Sequence, residues 1–502
     1  MQGGKVGGVG DVVRELPAAL VNVGWQATVL TPAYGMLHEL PKAKSLGSIN
    51  IEFRGVITAV EIFDIPGSEQ QVRNIVFEHP NFSPLGPGQI YCSDATDRPF
   101  AADANKFAFF CAAAAAWINQ LLVGPDVVHC HDWHAATYTV LRAYRPDYQR
   151  LRDIRTVFTI HNLAYQGTRP VGGDESALES WFPGLPFEHS AISDPLHADC
   201  FNPMAAAIRL ADKISTVSPT YAEEICEPSN AAIGFVGGEG LENDLTDART
   251  DGRLVGILNG CNYERSIGRR PGWQRILDLA AEQVVAWADA APSNRIHAVA
   301  LQGLKSLPRR RPVHLLSSVG RLVGQKASLL FEQLPNGRTT LDTILDDLGS
   351  KGVLIVLGSG EKSYERRMLE VAERTNNLLF LCGYSETLAQ PLYRAGDLFL
   401  MPSSFEPCGI SQMLAMRAMQ PCVVHGVGGL RDTVIDKHSG FVFAGDTPQQ
   451  QAINFVATVK RALTIKTDRN QDWQKICIRA AAARFSWTES ARNTIEHLYD
   501  DA

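Results

Sequence analysis

The sequence predicts an α/β protein that is built from two large domains with parallel sheets. Short apolar runs alternate with longer helical patterns along nearly the whole chain, which is typical of successive β–α–β units. The chain has 502 residues, more than one hydrophobic core usually supports. Polar clusters follow several of the predicted strands, and ligands of open α/β sheets bind beyond the carboxyl ends of strands. We therefore expect two domains with a ligand cleft between them.

The first half of the chain begins with a helical pattern and then shows strand-like runs. The helix is expected over 12–23, and four strands are expected over 26–31, 126–130, 156–160 and 214–217. The strands at 126–130 and 156–160 end in the polar clusters His131-Asp-Trp-His134 and His161–Gln166. These clusters lie where chemistry is expected. The glycine-rich, acidic stretch 234–252 predicts an exposed loop.

The second half of the chain shows a clearer alternation. A strand over 254–258 ends in Asn259-Gly260, and the domain boundary is expected close to it. Five further strands are expected over 315–319, 353–357, 378–381, 398–401 and 422–424. Residues 263–312 fit no pattern.

Composition excludes several classes of function. The net charge of −7 argues against a nucleic-acid or anionic-membrane partner. The longest apolar run, 107–118, has about half the length that a membrane span needs, and no secretory leader pattern is visible. The ten cysteines are scattered without a C-x-x-C pair, as expected for reduced thiols. We expect a cytoplasmic protein.

Three histidines at 129, 131 and 134 resemble a metal site at first sight. Cys130 belongs to the strand-like run itself, and Asp132 is the one obvious carboxylate partner nearby. A structural zinc ion is therefore the less favoured interpretation.

A lysine followed by closely spaced glycines opens the chain, at Lys5-Val-Gly-Gly8-Val-Gly-Asp11. Glycines let backbone N–H groups approach a phosphate, and the start of a helix adds a favourable dipole. Such loops normally follow a buried strand, yet four residues precede Lys5 in the sequence as given. Either that strand is not part of this sequence, which we favour, or the first domain supports Lys5 in another way.

Arg321 and Lys326 follow the predicted strand at 315–319. A guanidinium and an ammonium that converge on one point commonly hold a diphosphate and neutralise it as a leaving group. Two solvated cations on a loop are the alternative.

Glu406 follows the strand at 398–401, and a helix start at 409–412 comes next. A carboxylate at a strand end can accept hydrogen bonds from two adjacent sugar hydroxyls, while the helix start offers N–H groups to a phosphate. The loop after the neighbouring strand is a second glycine-rich helix start, at Gly426-Val-Gly428-Gly429. Routine turn chemistry is the alternative for each loop taken alone.

Taken together, these segments resemble the bacterial glycogen and starch synthases, glycosyltransferase family 5, which have the GT-B fold. The matching segments, in family order, are KVGGVGDVV, HDWHA, TIHNLAYQG, STVSPTYAEEI, GILNG, GRLVGQK, VLGSGE, GYSE, PSSFEPCGISQMLAMRAMQPCVV and GGLRDTV. FSWTESA resembles the family's closing helix, which returns to the first domain. The resemblance implies two Rossmann-like domains, 1–253 on the acceptor side and 254–483 on the nucleotide-sugar side, with a crossover helix at 484–502.

The resemblance implies transfer of glucose from ADP-glucose to the 4-hydroxyl of an α-1,4-glucan, with retention of configuration. The implied catalytic residues are His161, whose backbone carbonyl would face the anomeric carbon, Arg321, Lys326 and Glu406. The implied donor-binding residues are Lys5, Gly8, Asp11, Tyr384, Cys408, Gly409, Ser411, Gly428 and Gly429. The implied acceptor-binding residues are Asp132, Trp133, His134 and Asn162. No metal or other cofactor is implied, because the two cations replace it.

Bland alternatives exist for two of these residues, and the chain departs from the family in places. His161 could be a histidine that only orders the 161–166 loop, and Tyr384 could be packing at a domain edge. The family's first strand is missing, Asn262 replaces the usual aspartate, and residues 263–312 match poorly. Two other functions are therefore open: a catalytically weak paralogue that binds glucan, or a GT-B transferase with another nucleotide sugar or acceptor. Nucleotide preference and oligomeric state are not predicted.

Overall fold

The structure is a computed structural model that describes residues 7–67, 72–92, 94, 98–263, 268–291 and 294–500. The chain forms two compact units. The first contains the residues up to Ser229, Gly237–Gly260 and the residues from Ser486 onward. The second contains Asn230–Val236 and Cys261–Phe485.

The first unit alternates strands and helices, with several short helices between them. In chain order its elements are α1 (Gly7–Asn22), β1 (Thr28–Pro32), β2 (Lys44–Phe53), β3 (Val56–Pro66), β4 (Arg73–Glu78), α2 (Ala101–Gln120), β5 (Val127–His131), α3 (Asp132–Tyr144), α4 (Gln149–Arg152), β6 (Arg155–Ile160), β7 (Arg169–Pro170), α5 (Leu178–Trp181), α6 (His189–Ile192), β8 (Cys200–Phe201), α7 (Pro203–Leu210), β9 (Lys213–Thr216), α8 (Pro219–Glu224), α9 (Glu242–Thr250) and β10 (Leu254–Gly256). After the second unit the chain returns to the first.

The second unit has the more regular alternation. Its elements are α10 (Trp273–Ala290), α11 (Arg295–Ser306), β11 (His314–Val319), α12 (Gly324–Ala327), α13 (Thr340–Leu348), β12 (Gly352–Leu357), α14 (Lys362–Arg374), β13 (Leu378–Leu381), α15 (Glu386–Ala395), β14 (Leu398–Met401), α16 (Ser411–Arg417), β15 (Cys422–His425), α17 (Gly428–Thr433), β16 (Phe441–Phe443), α18 (Pro448–Asp468) and α19 (Asn470–Ala482). The α-helix that follows, α20 (Trp487–Thr494), belongs to the first unit and continues into a π-helical turn at Ile495–Tyr499.

The first unit contains two separate four-stranded sheets. One is parallel throughout, in the order β10-β9-β6-β5. The other, β1-β4-β3-β2, is mixed, because the β2–β3 hairpin lies antiparallel and turns at Arg54 and Gly55, both with positive φ. The sequence did not predict this hairpin, in which short-range antiparallel pairing buries one face of each strand.

Strands β1 and β5 each have a sheet partner on one side only among the described strands. Residues of β1 and β5 are mostly half-buried, whereas those of β6 and β9 are mostly buried. Their exposure is that of sheet edges.

The second unit is a six-stranded parallel sheet in the order β13-β12-β11-β14-β15-β16. Side chains alternate across it: Leu354 and Val356 pack in the core on one face, and Val353 and Ile355 in the core on the other. A parallel sheet covered on both faces requires such continuous apolar strands. The five predicted strands of this half are present, and β16 was not predicted.

Three assignments differ from the sequence expectations. Strand β10 pairs with β9, so the first unit extends to Gly260, beyond the expected boundary at 253/254. The expected loop 234–252 contains α9, whose Leu245 and Ala248 are buried. Residues 263–312, which fitted no pattern, contain the amphipathic helices α10 and α11. Among the described residues, no helix combines the length and apolar composition needed to cross a bilayer.

Candidate active site

The first unit brings two predicted site segments together at the carboxyl ends of β5 and β6. These strands are parallel neighbours, so His131 at the end of β5 lies beside Thr159, two residues before His161. A hydrogen bond of 3.1 Å joins His131 Nδ1 and His161 Nε2. The structure therefore pairs a predicted catalytic residue with a histidine that was considered only as a metal ligand.

Asp132 fixes the backbone of His161. Its Oδ1 accepts the backbone N–H of His161 at 2.7 Å. Asp132 adopts a left-handed conformation (φ +54°), which aspartate tolerates better than most residues. Burial raises the pKa of this carboxyl to about 7, against the lowering effect of hydrogen bonds from the His161 and Asn162 backbones. Asp132 thus positions the segment that was predicted to face the anomeric carbon.

The histidines around Asp132 are held neutral. Burial lowers the pKa of His131 to about 4, and burial together with neighbouring histidines keeps the pKa values of His129 and His161 well below their usual range. His129 is tied to Thr159 Oγ1 at 2.6 Å and to the Tyr499 hydroxyl at 2.8 Å. Within the described part of the chain, no group of three or more His, Cys, Asp or Glu side chains has the geometry of a metal site.

The alternative for His161 was that it only orders the 161–166 loop. Other residues order this loop. Asn162 Oδ1 accepts the backbone N–H of Ala164 at 3.0 Å, and Leu163 N–H donates to the Tyr221 hydroxyl at 3.2 Å. The loop is therefore held by Asn162 and Tyr221, while the His161 ring contacts His131.

Two predicted acceptor residues, Trp133 and His134, lie deeper than expected. Trp133 is 5% exposed, and a Cβ at Gly167 (φ +70°) would lie 2.3 Å from its ring, so Gly167 packs directly on the indole. Burial lowers the pKa of His134 to about 3, and its Nε2 is 3.0 Å from the hydroxyl of the exposed Tyr91. Trp133 therefore lies below the surface of this unit, and the acceptor contacts predicted for Trp133 and His134 stay predictions.

A buried ion pair anchors the backbone on both sides of Tyr91. Lys106 Nζ lies 2.6 Å from Asp103 Oδ1 and also donates to the carbonyl of Ile90. The Asp103 carboxylate accepts the N–H of Cys92 at 3.1 Å. A buried pair whose remaining hydrogen bonds reach the main chain fixes local conformation more than it adds stability.

The glycine loop at the start of the chain is described only in part. Lys5 lies outside the described residues. Helix α1 starts at Gly7, earlier than expected, and a Cβ at Gly8 would meet no atom within 4 Å. Asp11 lies 3.2 Å from Arg14 Nη2. The predicted donor contacts of Lys5, Gly8 and Asp11 stay predictions.

The second unit collects its predicted residues at the point where the strand order reverses. Strands β12 and β13 lie on one side of β11, and β14 and β15 lie on the other. Ligands of doubly wound sheets bind at such a switch point, beyond the carboxyl ends of the strands. A cavity there is open to solvent and is lined by residues that include Gly320, Arg321, Lys326 and Ser403.

Lys326 and Glu406 form an ion pair at this switch point. Lys326 Nζ lies 2.8 Å from Glu406 Oε2, and the hydroxyl of the buried Ser403 donates to the same oxygen at 3.0 Å. Glu406 is itself buried. Gln325 holds the two loops together, because its carbonyl accepts the N–H of Ser404 at 2.9 Å and its amide donates to the Phe405 carbonyl at 2.8 Å.

Arg321 is exposed at the rim of the same cavity, and no residue in the described ranges pairs with its guanidinium. Lys326 is partly exposed while it pairs with Glu406. Both cations can therefore meet an anionic ligand, as the interpretation as a diphosphate clamp requires.

The glycines of the two helix starts allow their backbones to touch. Gly428 (φ +42°) and Gly429 pack on the neighbouring loop: a Cβ on Gly428 would lie 2.0 Å from the Glu406 carbonyl, and one on Gly429 would lie 2.4 Å from the Cys408 carbonyl. The Gly429 N–H donates to the Glu406 carbonyl at 3.2 Å. This contact connects the β15 loop to the backbone of the predicted catalytic carboxylate.

The remaining predicted donor residues have separate surroundings. Cys408 is buried, and Gly409 takes the left-handed conformation (φ +76°) that glycine favours. Ser411 begins α16, and its Oγ accepts a hydrogen bond from the Tyr393 hydroxyl at 3.2 Å. Tyr384 follows β13 and is 71% exposed, so packing at a domain edge does not describe it within its own unit.

Sequence reasoning missed four residues that position this site: His131, Gln325, Ser403 and His425. His425 Nδ1 donates to the Ser403 carbonyl at 3.1 Å, and its ring stacks on Phe443. Each of the four lies within three residues of a predicted site residue or at the end of a strand, and that proximity was the available signal.

Two family models and several full-length relatives match this chain. The family described as the starch synthase catalytic domain matches residues 3–247, and the family described as glycosyl transferases group 1 matches residues 314–461. Glycogen synthase from Gloeobacter violaceus is 33% identical, with 99% of this chain and 95% of that protein covered. Glycogen synthase from Anaeromyxobacter sp. is 34% identical, with 99% and 96% covered.

The chain belongs to the glycogen and starch synthase family. Members of this family are glucan-elongating glucosyltransferases. Among solved structures, the catalytic domain of starch synthase IV from Arabidopsis thaliana, bound to ADP and acarbose, is similar with a TM-score of 0.76 and 28% identity over 99% of this chain and 96% of that chain. Sucrose-phosphate synthase from Thermosynechococcus elongatus, at a TM-score of 0.55 and 17% identity over 98% and 92%, shares the fold. The predicted GT-B class, with two parallel-sheet units, is confirmed.

In this synthase-family chain, Gly429→Ala tests the contact between the two helix starts. The added Cβ would press on the backbone of Cys408, which cannot rotate away, so we expect unfolding of the second unit to become easier by about 2 kcal/mol or more. We also expect lower turnover, because the loop of Glu406 must move. Thermal melting and initial rates measure both effects.

Gly303→Ala is the matched control. Its Cβ would lie 3.6 Å from Leu379, an ordinary contact within helix α11. Alanine is the better helix former, so this variant is expected to keep or raise the melting temperature. Equal melting temperatures and rates for both variants would contradict the proposed contact.

Proposed function

We propose that this protein elongates an α-1,4-glucan by transferring glucose from ADP-glucose with retention of the α configuration. The observation that supports it most is the Lys326–Glu406 ion pair with Ser403 at the switch point of the second unit. A buried carboxylate suits the hydroxyls of a glucosyl group, and two exposed or half-exposed cations beside it suit a diphosphate.

Each group has one role in the proposed reaction. The bond between the glucose C1 and the diphosphate oxygen breaks, and a bond from the acceptor 4-hydroxyl oxygen to C1 forms. The proton of that hydroxyl leaves with the departing ADP. Arg321 and Lys326 neutralise the charge that grows on the diphosphate, which is the largest electrostatic demand of the step. Glu406 orients the sugar, and the His161 backbone carbonyl, held by Asp132, stabilises positive charge at C1.

No metal is needed in this scheme, since the two cations do the neutralising. We further propose that the enzyme works in a reducing compartment such as the cytoplasm, because its ten cysteines form no disulfide in the structure. Its substrates are a nucleotide sugar and a glucan chain.

A glucan-elongation assay with ADP-glucose and UDP-glucose side by side tests the proposal. We expect incorporation of labelled glucose into glycogen with ADP-glucose at a rate at least about ten times that with UDP-glucose, which corresponds to about 1.4 kcal/mol of discrimination. The product should be fully digestible by an α-1,4-specific amylase. EDTA should leave the rate unchanged.

The outcomes separate the competing functions. A higher rate with UDP-glucose, or transfer to a small acceptor alone, would assign a GT-B transferase of other specificity. Retention of the protein on glycogen without any incorporation would assign a glucan-binding paralogue. Loss of activity with EDTA that added metal restores would overturn the metal-free scheme.

A further inference from the structure

Two exposed aromatic side chains of the first unit lie against each other above the buried Trp133. Phe100 is 40% exposed and Tyr165 is 52% exposed. Their ring centroids are 6.0 Å apart at 78°, and the Phe100 ring lies 6.3 Å from the Trp133 ring. The two rings form a corner rather than a flat patch. Isolated exposed apolar residues need no explanation, but an adjacent aromatic pair does.

Phe100 is held in a conformation that a phenylalanine avoids. Its φ is +63°, in the left-handed region, directly before helix α2. The backbone is tied down on its N-terminal side: Arg98 Nη2 donates to Asp174 Oδ1 at 2.9 Å, and Arg169 Nη1 donates to the Pro99 carbonyl at 3.0 Å. Strain of this kind persists where surrounding contacts impose it, and it gathers at ligand sites.

Asp174, the acidic partner of Arg98, is itself held in place. Asp174 Oδ1 accepts both the N–H and the hydroxyl of Ser176, and these bonds, with Arg98, hold the pKa of Asp174 well below its usual range. Arg169 Nε donates to the Ser176 hydroxyl at 2.9 Å. The anchor therefore stays charged and in place at neutral pH.

Tyr165 is also presented from an anchored loop. Gln166 Nε2 donates to the Glu239 carbonyl at 3.0 Å, and its Oε1 accepts from the buried Asn202. Gly167 then packs on Trp133. Two segments distant in the sequence are thus each fixed so that one aromatic ring faces solvent beside the other.

We propose that Phe100 and Tyr165 form an aromatic subsite that binds glucose units of the acceptor glucan. The faces of a glucose ring present C–H groups, which pack favourably on the electron-rich face of an aromatic ring. One ring of the corner lies on the loop that carries His161, since Tyr165 is four residues beyond His161. The inference rests on the proposed function for the identity of the sugar, and it assigns to Phe100 and Tyr165 the acceptor contact predicted for Trp133.

The test uses Phe100→Gly, because glycine removes the ring and also the backbone strain. We expect the KM for a maltooligosaccharide acceptor to rise about five- to ten-fold, the loss expected for one aromatic contact. The KM for the nucleotide sugar and the kcat should stay within about two-fold. The melting temperature should not fall, since glycine adopts φ +63° without cost. Tyr165→Ala should act in the same direction, and Tyr165→Phe should bind as the unchanged protein does.

Met419→Gly is the matched control. Met419 is likewise a large apolar residue in the left-handed region (φ +64°), is 48% exposed, and belongs to the second unit. It should leave acceptor affinity unchanged. Electrophoresis through a glycogen-containing gel measures glucan binding without turnover. It therefore tests the subsite even if the protein has no elongation activity. Equal retardation of Phe100→Gly and the unchanged protein, or equal losses in Phe100→Gly and Met419→Gly, would overturn the subsite.

Discussion

Glu406→Gln is expected to lower kcat by about 10²- to 10³-fold while the protein stays folded. The buried carboxylate of Glu406 receives Lys326 at 2.8 Å and Ser403 at 3.0 Å, and an amide can keep the hydroxyl contact but not the charge. Lys326→Ala should cause a loss of similar size. Since the two side chains act as one pair, the double variant should lose little more than either single one. Steady-state kinetics of the three variants, with melting temperatures, measure these effects.

Lys362→Ala is the matched control for the pair. Lys362 Nζ lies 2.7 Å from the buried Glu365, so its geometry resembles that of Lys326 and Glu406, but it lies on the exposed face of helix α14. This variant should keep kcat. Full activity of Glu406→Gln and Lys326→Ala would remove both residues from the catalytic set, and additive losses would show that they do not act as a pair.

Mild acid is expected to destabilise the first unit strongly. The pKa values of His129, His131, His134 and His161 are lowered in the folded protein, so below pH 6.5 the unfolded chain binds more protons at these positions. Stability is therefore lost as the pH falls through about 6.5 toward 4. Asp132 acts in the opposite direction, because its raised pKa of about 7 makes the folded state hold the extra proton over the same range.

Near pH 5.5 the four histidines less the one aspartate give an uptake of about three protons on unfolding, or about 4 kcal/mol per pH unit, and the uptake is smaller closer to pH 7. Urea unfolding at pH 7.5, 6.5 and 5.5, followed by a probe in the first unit, measures this slope. Asp132→Asn removes the opposing group, so its slope should be steeper by about one proton, and His131→Asn should be shallower by about one. His497→Asn, at an exposed position, is the control. A flat stability between pH 7.5 and 5.5 would refute the neutral-histidine cluster.

Much of the fold and part of the site could be predicted because both depend on local patterns. The ends of β5, β6, β11, β14 and β15 are marked by apolar runs that stop at polar clusters, and parallel neighbours bring those ends together. That logic is sufficient to place Lys326 near Glu406 and Asp132 near His161. The hydrogen bonds that fix each pair depend on side-chain geometry, which spacing alone does not specify.

The features that the sequence did not predict depend on contacts between distant segments. Burial of Trp133 results from Gly167 and Phe107, whose approach no local pattern shows. In the β2–β3 hairpin, the buried residues Ile49, Ile51 and Phe53 alternate with exposed polar residues. Without knowledge of the partner strand, these polar residues resemble a loop. Helix α10 is amphipathic, yet its sequence departs from the family and carried no motif.

The position of α20 affects the order in which the two units can fold during synthesis. Helix α20 covers the apolar face of α1 through Trp487 and Ala491, and the residues beyond it reach Arg155 and His129 through the Leu498 carbonyl and the Tyr499 hydroxyl. During synthesis the ribosome makes the whole second unit before these residues emerge. The second unit can therefore fold first, while the apolar face of α1 remains uncovered. The first unit, although it is begun first, is completed last.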